Sequence, residues 1–582
     1  MASAKQFFHG HGFSQSEDRR EVRGETFSPA DVPKELDFRV YGEDERNYVS
    51  AVRNQHIPNY CGACYIFAAT SALADRIRLS RGDTSSKEVD LAVQSILNCD
   101  TYDNGCHGGD PITVYQFIHE NGIPEETCQL YAAEGHDTGR QCNAIDVCMD
   151  CAPGSSTCTA VDESVYYSYG VDEYGLVNGT EAMINELQRG PIACTVAVTD
   201  GFENYDGGVF EDTTGDTSMD HSISLIGYGT DESGVDYWIG RNSWGTYWGE
   251  GGFFKIVRGV NNLGIEANCQ YAVPSAEDNQ KWTKDGDVEE KKEEKAAYEG
   301  PRGLGGGRIG GGWEEVEEVI LNPRPHTIIA SDDLPENWDW RNVNGTNYVT
   351  WDKNQHIPQY CGSCWAQGVT SALSDRLYIQ SGAKGAQINL SPQYLINFNG
   401  GGTCSGGMPA KAYRYIEKNG IVDQTCAIYE AKNLGGRFGT ACDDQCICKT
   451  CSPNATSFSP GICEAVTEYP KYTVTEYGSV KGIDQMKAEI FARGPIGCGI
   501  DATNAFEEYS GGIYEEEKRF PMVNHEISIA GWGKDPETGT EYWIGRNSWG
   551  EWWGENGWFR IKMGGDNLAI ESECDWGVPA AL

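Results

Sequence analysis

The sequence predicts an α+β fold built twice in tandem, and three observations carry that expectation. Residues 54–64 read NQHIPNYCGAC and residues 354–364 read NQHIPQYCGSC, an offset of 300; residues 237–250 read YWIGRNSWGTYWGE and residues 542–555 read YWIGRNSWGEWWGE, an offset of 305. The 22 cysteines divide into 11 per copy. Between the copies the composition changes to a charge run at 284–295 (KDGDVEEKKEEK) and a glycine-rich stretch at 303–312 (GLGGGRIGGG). Neither stretch can build a core, so both read as a solvated tether. A period this long marks a duplicated domain of roughly 245 residues and not a solenoid.

Composition removes several classes of function. With 45 basic and 87 acidic residues the formal charge is −42. A phosphate-binding footprint of Lys and Arg is therefore absent, and neither nucleic acid nor an anionic membrane is an expected partner. Hydrophobic content of 39% and aromatic content of 11% suit a packed chain. No apolar run approaches the ~18 residues of a membrane span. Twenty-two cysteines imply structural disulfides in an oxidising compartment, or metal sites. Residues 1–25 hold no apolar signal segment, which conflicts with such a compartment. The expectation is an incomplete N-terminus.

The first element in each copy is a helix opening at a cysteine. After Cys364, Val369, Leu373 and Leu377 fall on one stripe and Gly382 is the stop; after Cys64, Phe67, Leu73 and Ile77 do the same. Each thiol therefore sits at a helix N-terminus, where the dipole favours a thiolate over the free thiol of pKa about 8.5. The duplication also filters the histidines. Only His56 with His356 and His221 with His525 occupy matching places, so His9, His11, His107, His119, His136 and His326 are set aside.

Cysteine within Cys-Gly-Ala/Ser-Cys-Tyr/Trp, followed far downstream by His and then Asn, is the pattern of a nucleophilic triad. Copy one supplies Cys64, His221 and Asn242; copy two supplies Cys364, His525 and Asn547. The Cys-to-His gaps of 157 and 161 residues slightly exceed the usual ~130–150. In this scheme the imidazole passes a proton to the leaving amine and the Asn amide oxygen orients the ring. Trp244 and Trp549 shield that bond. Gln55 and Gln355 offer a side-chain N–H to the oxyanion beside the nucleophile's own backbone N–H. The alternative for each cysteine is an ordinary disulfide partner.

On these motifs the chain resembles the papain-like cysteine peptidases, and within them the cathepsin X (cathepsin Z) branch, over nearly all of both copies. The specific feature is a His-Ile-Pro insert that puts Gln nine residues before the nucleophile, where the common spacing is six. The resemblance implies a two-lobed fold, a helical lobe carrying Cys and a β-barrel-like lobe carrying His and Asn, with the cleft between. It implies a carboxypeptidase removing single residues from peptide or protein substrates with a free C-terminus, with endopeptidase action or a non-catalytic copy as alternatives. His56 and His356 match the histidine that holds the substrate carboxylate, a charge-assisted bond when protonated; a structural loop histidine is the other reading. Tyr60 and Tyr360 line the same pocket. Gly108-Gly109 and Gly406-Gly407 match the pair that the substrate backbone approaches, where a Cβ would intrude; a plain turn is the alternative.

The resemblance divides the chain into a prosegment-like 1–31, a peptidase domain at 32–276, a linker and prosegment-like region at 277–333, and a second domain at 334–582. Processing is expected near Val32 and Leu334, where SPADVP (28–33) and NPRPHTIIASDDLP (322–335) look like mature starts. The prosegment cysteine of the branch has no match. Phe38 and Tyr65 stand in copy one where copy two has Trp340 and Trp365.

The resemblance also implies the bridges Cys61–Cys106, Cys99–Cys142, Cys128–Cys148, Cys151–Cys158 and Cys194–Cys269, with their counterparts among Cys361, Cys404, Cys426, Cys448, Cys451, Cys463, Cys498 and Cys574. Phe398 replaces the counterpart of Cys99, so a local Cys442–Cys446 bridge is expected. A zinc site at Cys442, Cys446, Cys448 and Cys451 is the rival. Otherwise no metal or cofactor is expected. Sequons at Asn178, Asn344 and Asn454 fit a lysosomal, vacuolar or extracellular site.

Overall fold

The structure is a computed structural model that describes residues 32–42, 45–82, 88–135, 142–153, 157–276, 307–309, 316–434, 442–454 and 461–581. Residues 1–31, the charge run at 284–295, most of the glycine-rich stretch, and His9, His11 and His136 lie outside them.

Each copy builds a helix-rich half around one long helix, Cys64–Ser80 or Cys364–Gln380. The predicted apolar stripe is too narrow an account of it. Tyr65–Thr70 and Ala72–Arg78 are all buried, as are Cys364–Tyr378. Small residues (Ala68, Ala69, Ala72 and Ala74 in copy one) let neighbours close in on every side, so the helix is a central post and not an amphipathic surface helix. Gly82 and Gly382 follow the helix ends with φ of +63° and +69°.

The other half is an eight-stranded sheet. In copy one its order is Val171–Val177, Cys269–Pro274, Ile192–Val196, His221–Thr230, Asp236–Arg241, Phe253–Val257 and Val209–Phe210, with Leu36–Asp37 pairing onto the His221 strand. Pairings are antiparallel except at Val209–Phe210. Copy two repeats this order from Val474–Val480 to Ile513–Tyr514. The edge strands do not pair with each other, so the sheet is open, and the barrel-like lobe of the sequence reading is not a closed barrel. The His221 strand is buried along nearly its whole length, as is the His525 strand. Gly227 and Gly531 allow the short N-terminal strand to reach it, because a Cβ there would lie 2.0 Å from Leu36 O or 2.1 Å from Trp338 O.

A buried ion pair fastens helix to sheet. Asp75 meets Arg241 at 2.8 Å and Asp375 meets Arg546 at 2.6 Å, none of the four more than 2% exposed. Ten disulfides are present. Those of copy one are Cys61–Cys106, Cys99–Cys142, Cys128–Cys148, Cys151–Cys158 and Cys194–Cys269. Those of copy two are Cys361–Cys404, Cys426–Cys448, Cys442–Cys446, Cys451–Cys463 and Cys498–Cys574. The zinc alternative falls, because every one of its four sulfurs is in a bridge and holds no thiolate.

The tether reading also needs correction. Residues 316–324 lie along the edge strand of copy two, where Val319 exchanges backbone hydrogen bonds with Tyr477 and Asn322 binds Glu476. Residues 307–309 lie against Gly407. An unpaired strand edge and a buried acidic group give these stretches partners that composition does not reveal.

Candidate active site

Cys64 and Cys364 are the first residues of their helices and the two free cysteines of the described chain. The sheet delivers the second group. The backbone N–H of Ser222, next to His221, points at the Cys64 sulfur, and that of Glu526, next to His525, points at Cys364. His221 Nε2 lies 2.8 Å from Asn242 Oδ1, and His525 Nε2 lies 2.8 Å from Asn547 Oδ1. An amide oxygen only accepts, so the ring carries its proton on Nε2 and leaves Nδ1 to take one from the thiol. Trp244 and Trp549 cover the rings at centroid distances of 4.7 Å.

Burial works against the thiolate that the helix start favours. Burial pushes the Cys64 thiol up, against the N–H groups of Ser222, Tyr65 and Cys64 itself, and pushes Cys364 up to about 12. Burial also lowers His221 to about 4 and His525 to about 3, against the bonds from Asn242 and Asn547. A lone charge on either group is costly where it is buried, and the helix start and the N–H groups at the sulfur oppose that cost. Moving the proton from sulfur to imidazole creates both charges side by side, where they attract.

Gln55 is held on three sides. Its Nε2 donates to Cys61 O at 3.2 Å, its Oε1 accepts from Ser243 Oγ at 2.7 Å, and its carbonyl accepts from Tyr131 at 2.7 Å. Gln355 repeats this with Cys361, Ser548 and Tyr429. One Nε2 hydrogen remains for an oxyanion. Gly108 and Gly406 adopt φ of +107° and +116°, which requires glycine. Their neighbours are glycine for packing: a Cβ on Gly109 would strike Tyr65, and one on Gly407 would strike Trp365, each at 2.5 Å.

His56 lies between Tyr60 at 5.4 Å and Trp244 at 6.0 Å, and His356 lies between Tyr360 at 5.2 Å and Trp549 at 6.0 Å. One indole thus touches both the loop histidine and the triad histidine. Burial, then the neighbouring His221, lower His56 to about 3. Each loop is roofed by the other copy's disulfide hairpin: the Cys451 sulfur packs 3.5 Å from Pro58 O, and the Cys151 sulfur 3.6 Å from Pro358 O. Asn54 and Asn354 reach across to Thr425 O and Thr127 O at 2.8 and 3.0 Å. The two roofs differ. Asp150 of copy one stands 3.4 Å from His356 Nδ1, both fully buried, whereas the matching hairpin position in copy two is Thr450.

Sequence reasoning missed Asp150, the Asp75–Arg241 clamp and the acidic pair Glu526 and Asp575. The signal for the clamp was the repeated Ala/Ser-Asp-Arg on the helix that opens at Cys64 and Cys364; the others lie among many positions where the copies differ and carried no signal of their own.

A free thiol at a helix start, an imidazole fixed by an amide oxygen, and an oriented glutamine define a cysteine-peptidase site. The papain family cysteine protease model matches residues 32–273 and 334–578, and the chain belongs to that family. It is 48% identical over 257 residues to cathepsin Z of Onchocerca volvulus, covering 43% of this chain and 79% of that one. It is 33% identical over 245 residues to cathepsin B-like CP2 of Giardia intestinalis, covering 42% and 75%. It is 36% identical over 233 residues to fruit bromelain of Ananas comosus, covering 40% and 56%. No helix among the described residues is long and apolar enough to cross a membrane.

Proposed function

We propose that this cysteine protease is a carboxypeptidase that removes single residues from peptide or protein C-termini, with Cys64 and Cys364 as nucleophiles. His221 and His525 move the proton to the leaving amine, Asn242 and Asn547 hold those rings, and Gln55 and Gln355 donate to the oxyanion. The observation that carries the reading is the shared indole. Trp244 and Trp549 lie against both His56 and His221, and both His356 and His525, which sets each loop histidine on the leaving-group side of its triad; His56 is partly exposed there, whereas His356 is buried against Asp150. A substrate carboxylate arriving there supplies the counter-charge that favours a protonated imidazole. The similarity to cathepsin Z supports the same assignment.

The test compares a peptide with a free C-terminus against its amidated twin. A hydrogen bond between charged groups contributes about 1.5–3 kcal/mol, so the free acid is expected to react ~10–150-fold faster. His56→Ala with His356→Ala removes the difference. Equal rates for the twins in the native chain refute the reading. The domain limits at 32–276 and 334–582 and a lysosomal or secreted site remain part of the proposal.

A further inference from the structure

The two loop histidines have different neighbours, and the difference comes from across the interface between the copies. In copy one Met149–Cys151 pairs with Cys158–Ala160 to make a short hairpin, and in copy two Lys449–Ser452 pairs with Ile462–Ala465. Each hairpin sits on the other copy's histidine loop. The Cys151 and Cys158 sulfurs lie 3.6 and 3.5 Å from Pro358 O, and the Cys451 and Cys463 sulfurs lie 3.5 and 3.8 Å from Pro58 O. Within this shared arrangement the residue before the first bridged cysteine is Asp150 in one hairpin and Thr450 in the other.

Asp150 brings a buried acid to the edge of a buried imidazole. Its Oδ1 lies 3.4 Å from His356 Nδ1, and both side chains are 0% exposed. Tyr360 at 5.2 Å and Trp549 at 6.0 Å stack on the ring, so its edge is what remains for a polar partner. Neither ring nitrogen has a hydrogen bond among the described residues. The bridges Cys128–Cys148 and Cys151–Cys158 flank Asp150 in the chain and hold it in place. His56 is stacked in the same way between Tyr60 and Trp244, yet it is partly exposed, and the charged neighbour that acts on it is His221 and not a carboxylate. Thr450 bonds instead with Tyr247, whose place in copy two is taken by Trp552.

We propose that Asp150 of copy one is a specificity-determining residue of copy two: its carboxylate stands in for a substrate's terminal carboxylate on His356, so that in the joined chain copy one reads a free C-terminus and copy two does not. The two carboxylates compete for one imidazolium charge. A buried aspartate stays charged only with a partner, so Asp150 holds the ring against a ligand that must first leave water. A second carboxylate brought to the same ring meets a like charge, and that juxtaposition costs binding. Thr450 carries no charge and leaves His56 free to take a substrate carboxylate by a charge-assisted bond. The inference rests on the reading of His56 and His356 as the groups that hold a terminal carboxylate.

The test measures each copy separately in the full chain, with Cys364→Ala leaving copy one to report and Cys64→Ala leaving copy two. Each chain is given a peptide with a free C-terminus and its amidated twin, and the ratio of the two kcat/KM values is the readout. Copy one should favour the free acid ~10–150-fold, the worth of a charged hydrogen bond, and copy two should show a ratio within about twofold of one. Asp150→Asn keeps the shape and removes the charge, and Asp150→Thr installs the residue of the other hairpin. Each should raise the ratio of copy two ~10-fold or more, and the pair keeps the test valid if one of them unsettles the hairpin. A second readout needs no turnover. A free-acid dipeptide should protect Cys364 from an epoxide thiol trap in Asp150→Asn but not in the parent, whereas its amide should protect both chains equally. A native copy two that favours the free acid as strongly as copy one overturns this inference alone, as does a ratio and a protection that neither Asp150 variant moves. Equal rates for the twins in copy one overturn the carboxypeptidase reading and this inference with it.

Discussion

Asn242→Ala probes the triad of copy one in a chain where Cys364→Ala silences copy two. In the native site Asn242 Oδ1 accepts two hydrogen bonds at 2.8 Å, from His221 Nε2 and from the N–H of Ser243. The first strengthens when the ring becomes an imidazolium, and hydrogen bonds to charged groups contribute about 1.5–3 kcal/mol, so kcat/KM should fall ~10–150-fold. The loss should fall on kcat, because the bond matters when the ring is charged and not when substrate docks. The second bond satisfies a buried N–H whose orphaning costs about 1–3 kcal/mol, which calorimetry reads as a lower Tm for copy one. Asn242 also supports the protonated ring against burial, so alanine takes His221 further below its value of about 4. Asn242→Asp keeps both acceptors, restores most of the Tm, and shifts the ring's pKa upward, since a carboxylate favours imidazolium. If Asn242→Ala retains kcat/KM within about twofold of the parent, the orienting role is refuted.

Three further expectations follow from the same geometry. Asp75→Ala leaves Arg241 buried without its partner and should cost copy one about 3–5 kcal/mol in urea unfolding, with no matching change in copy two; a loss under ~1 kcal/mol would show the clamp idle. Replacing Cys99 and Cys142 by Ser opens a link between residues 43 apart and should cost about 4 kcal/mol, whereas Cys442 and Cys446, 4 apart, should cost about 2, on a chain-entropy account that equal losses would contradict. Stability should fall as pH rises from about 6.5 to 8. Burial lowers His221 to about 4 and His56 and His525 to about 3, so what they contribute is complete above their unfolded pKa of 6.5 and is lost as pH falls toward 4 and 3. Burial raises Glu88, Glu126 and Asp575 to about 7 and Asp103 to about 8, so their contribution is complete below unfolded values of 4.5 and 3.8 and is lost as pH rises through 7 and 8. Between 6.5 and 8 only the carboxyls change among these groups, and a Tm constant or rising over that range would contradict the assignment.

The sequence made the grouping of the site residues legible and left their environment dark. That Cys64, His221, Asn242 and Gln55 belong to one site could be read because a triad calls for those residue types and the second copy repeats them; the structure brings them together. The aromatic cage of His56 was half legible: Tyr60 lies four residues away, but Trp244 lies on another element. The surroundings of the sulfur were half legible, because a helix N-terminus can be read from a pattern, whereas burial depends on everything packed over it. Asp75 and Arg241 are 166 residues apart, and no local spacing links them. The docking of residues 307–309 was hidden for a different reason. A run of glycines around one arginine has no core-forming power, and only the buried Glu526, far along the chain, gives Arg308 a place.

The arrangement of the copies bears on why such a site would be duplicated within one chain. Their contacts are paired about a pseudo-two-fold axis: Asn54 reaches Thr425 as Asn354 reaches Thr127, and each disulfide hairpin roofs the opposite histidine loop. In a dimer of identical chains such an isologous interface forces both roofs and both pockets to be the same. Joining the halves in one chain removes that constraint while keeping the interface. Some of the differences between the copies lie where that constraint would have acted. Asp150 faces His356, but the matching hairpin position is Thr450. The His–Asn pairs and the Asp–Arg clamps are the same in both halves. A joined pair can diverge at the surfaces where its halves meet while keeping the same His–Asn geometry, which an isologous dimer of identical chains cannot do.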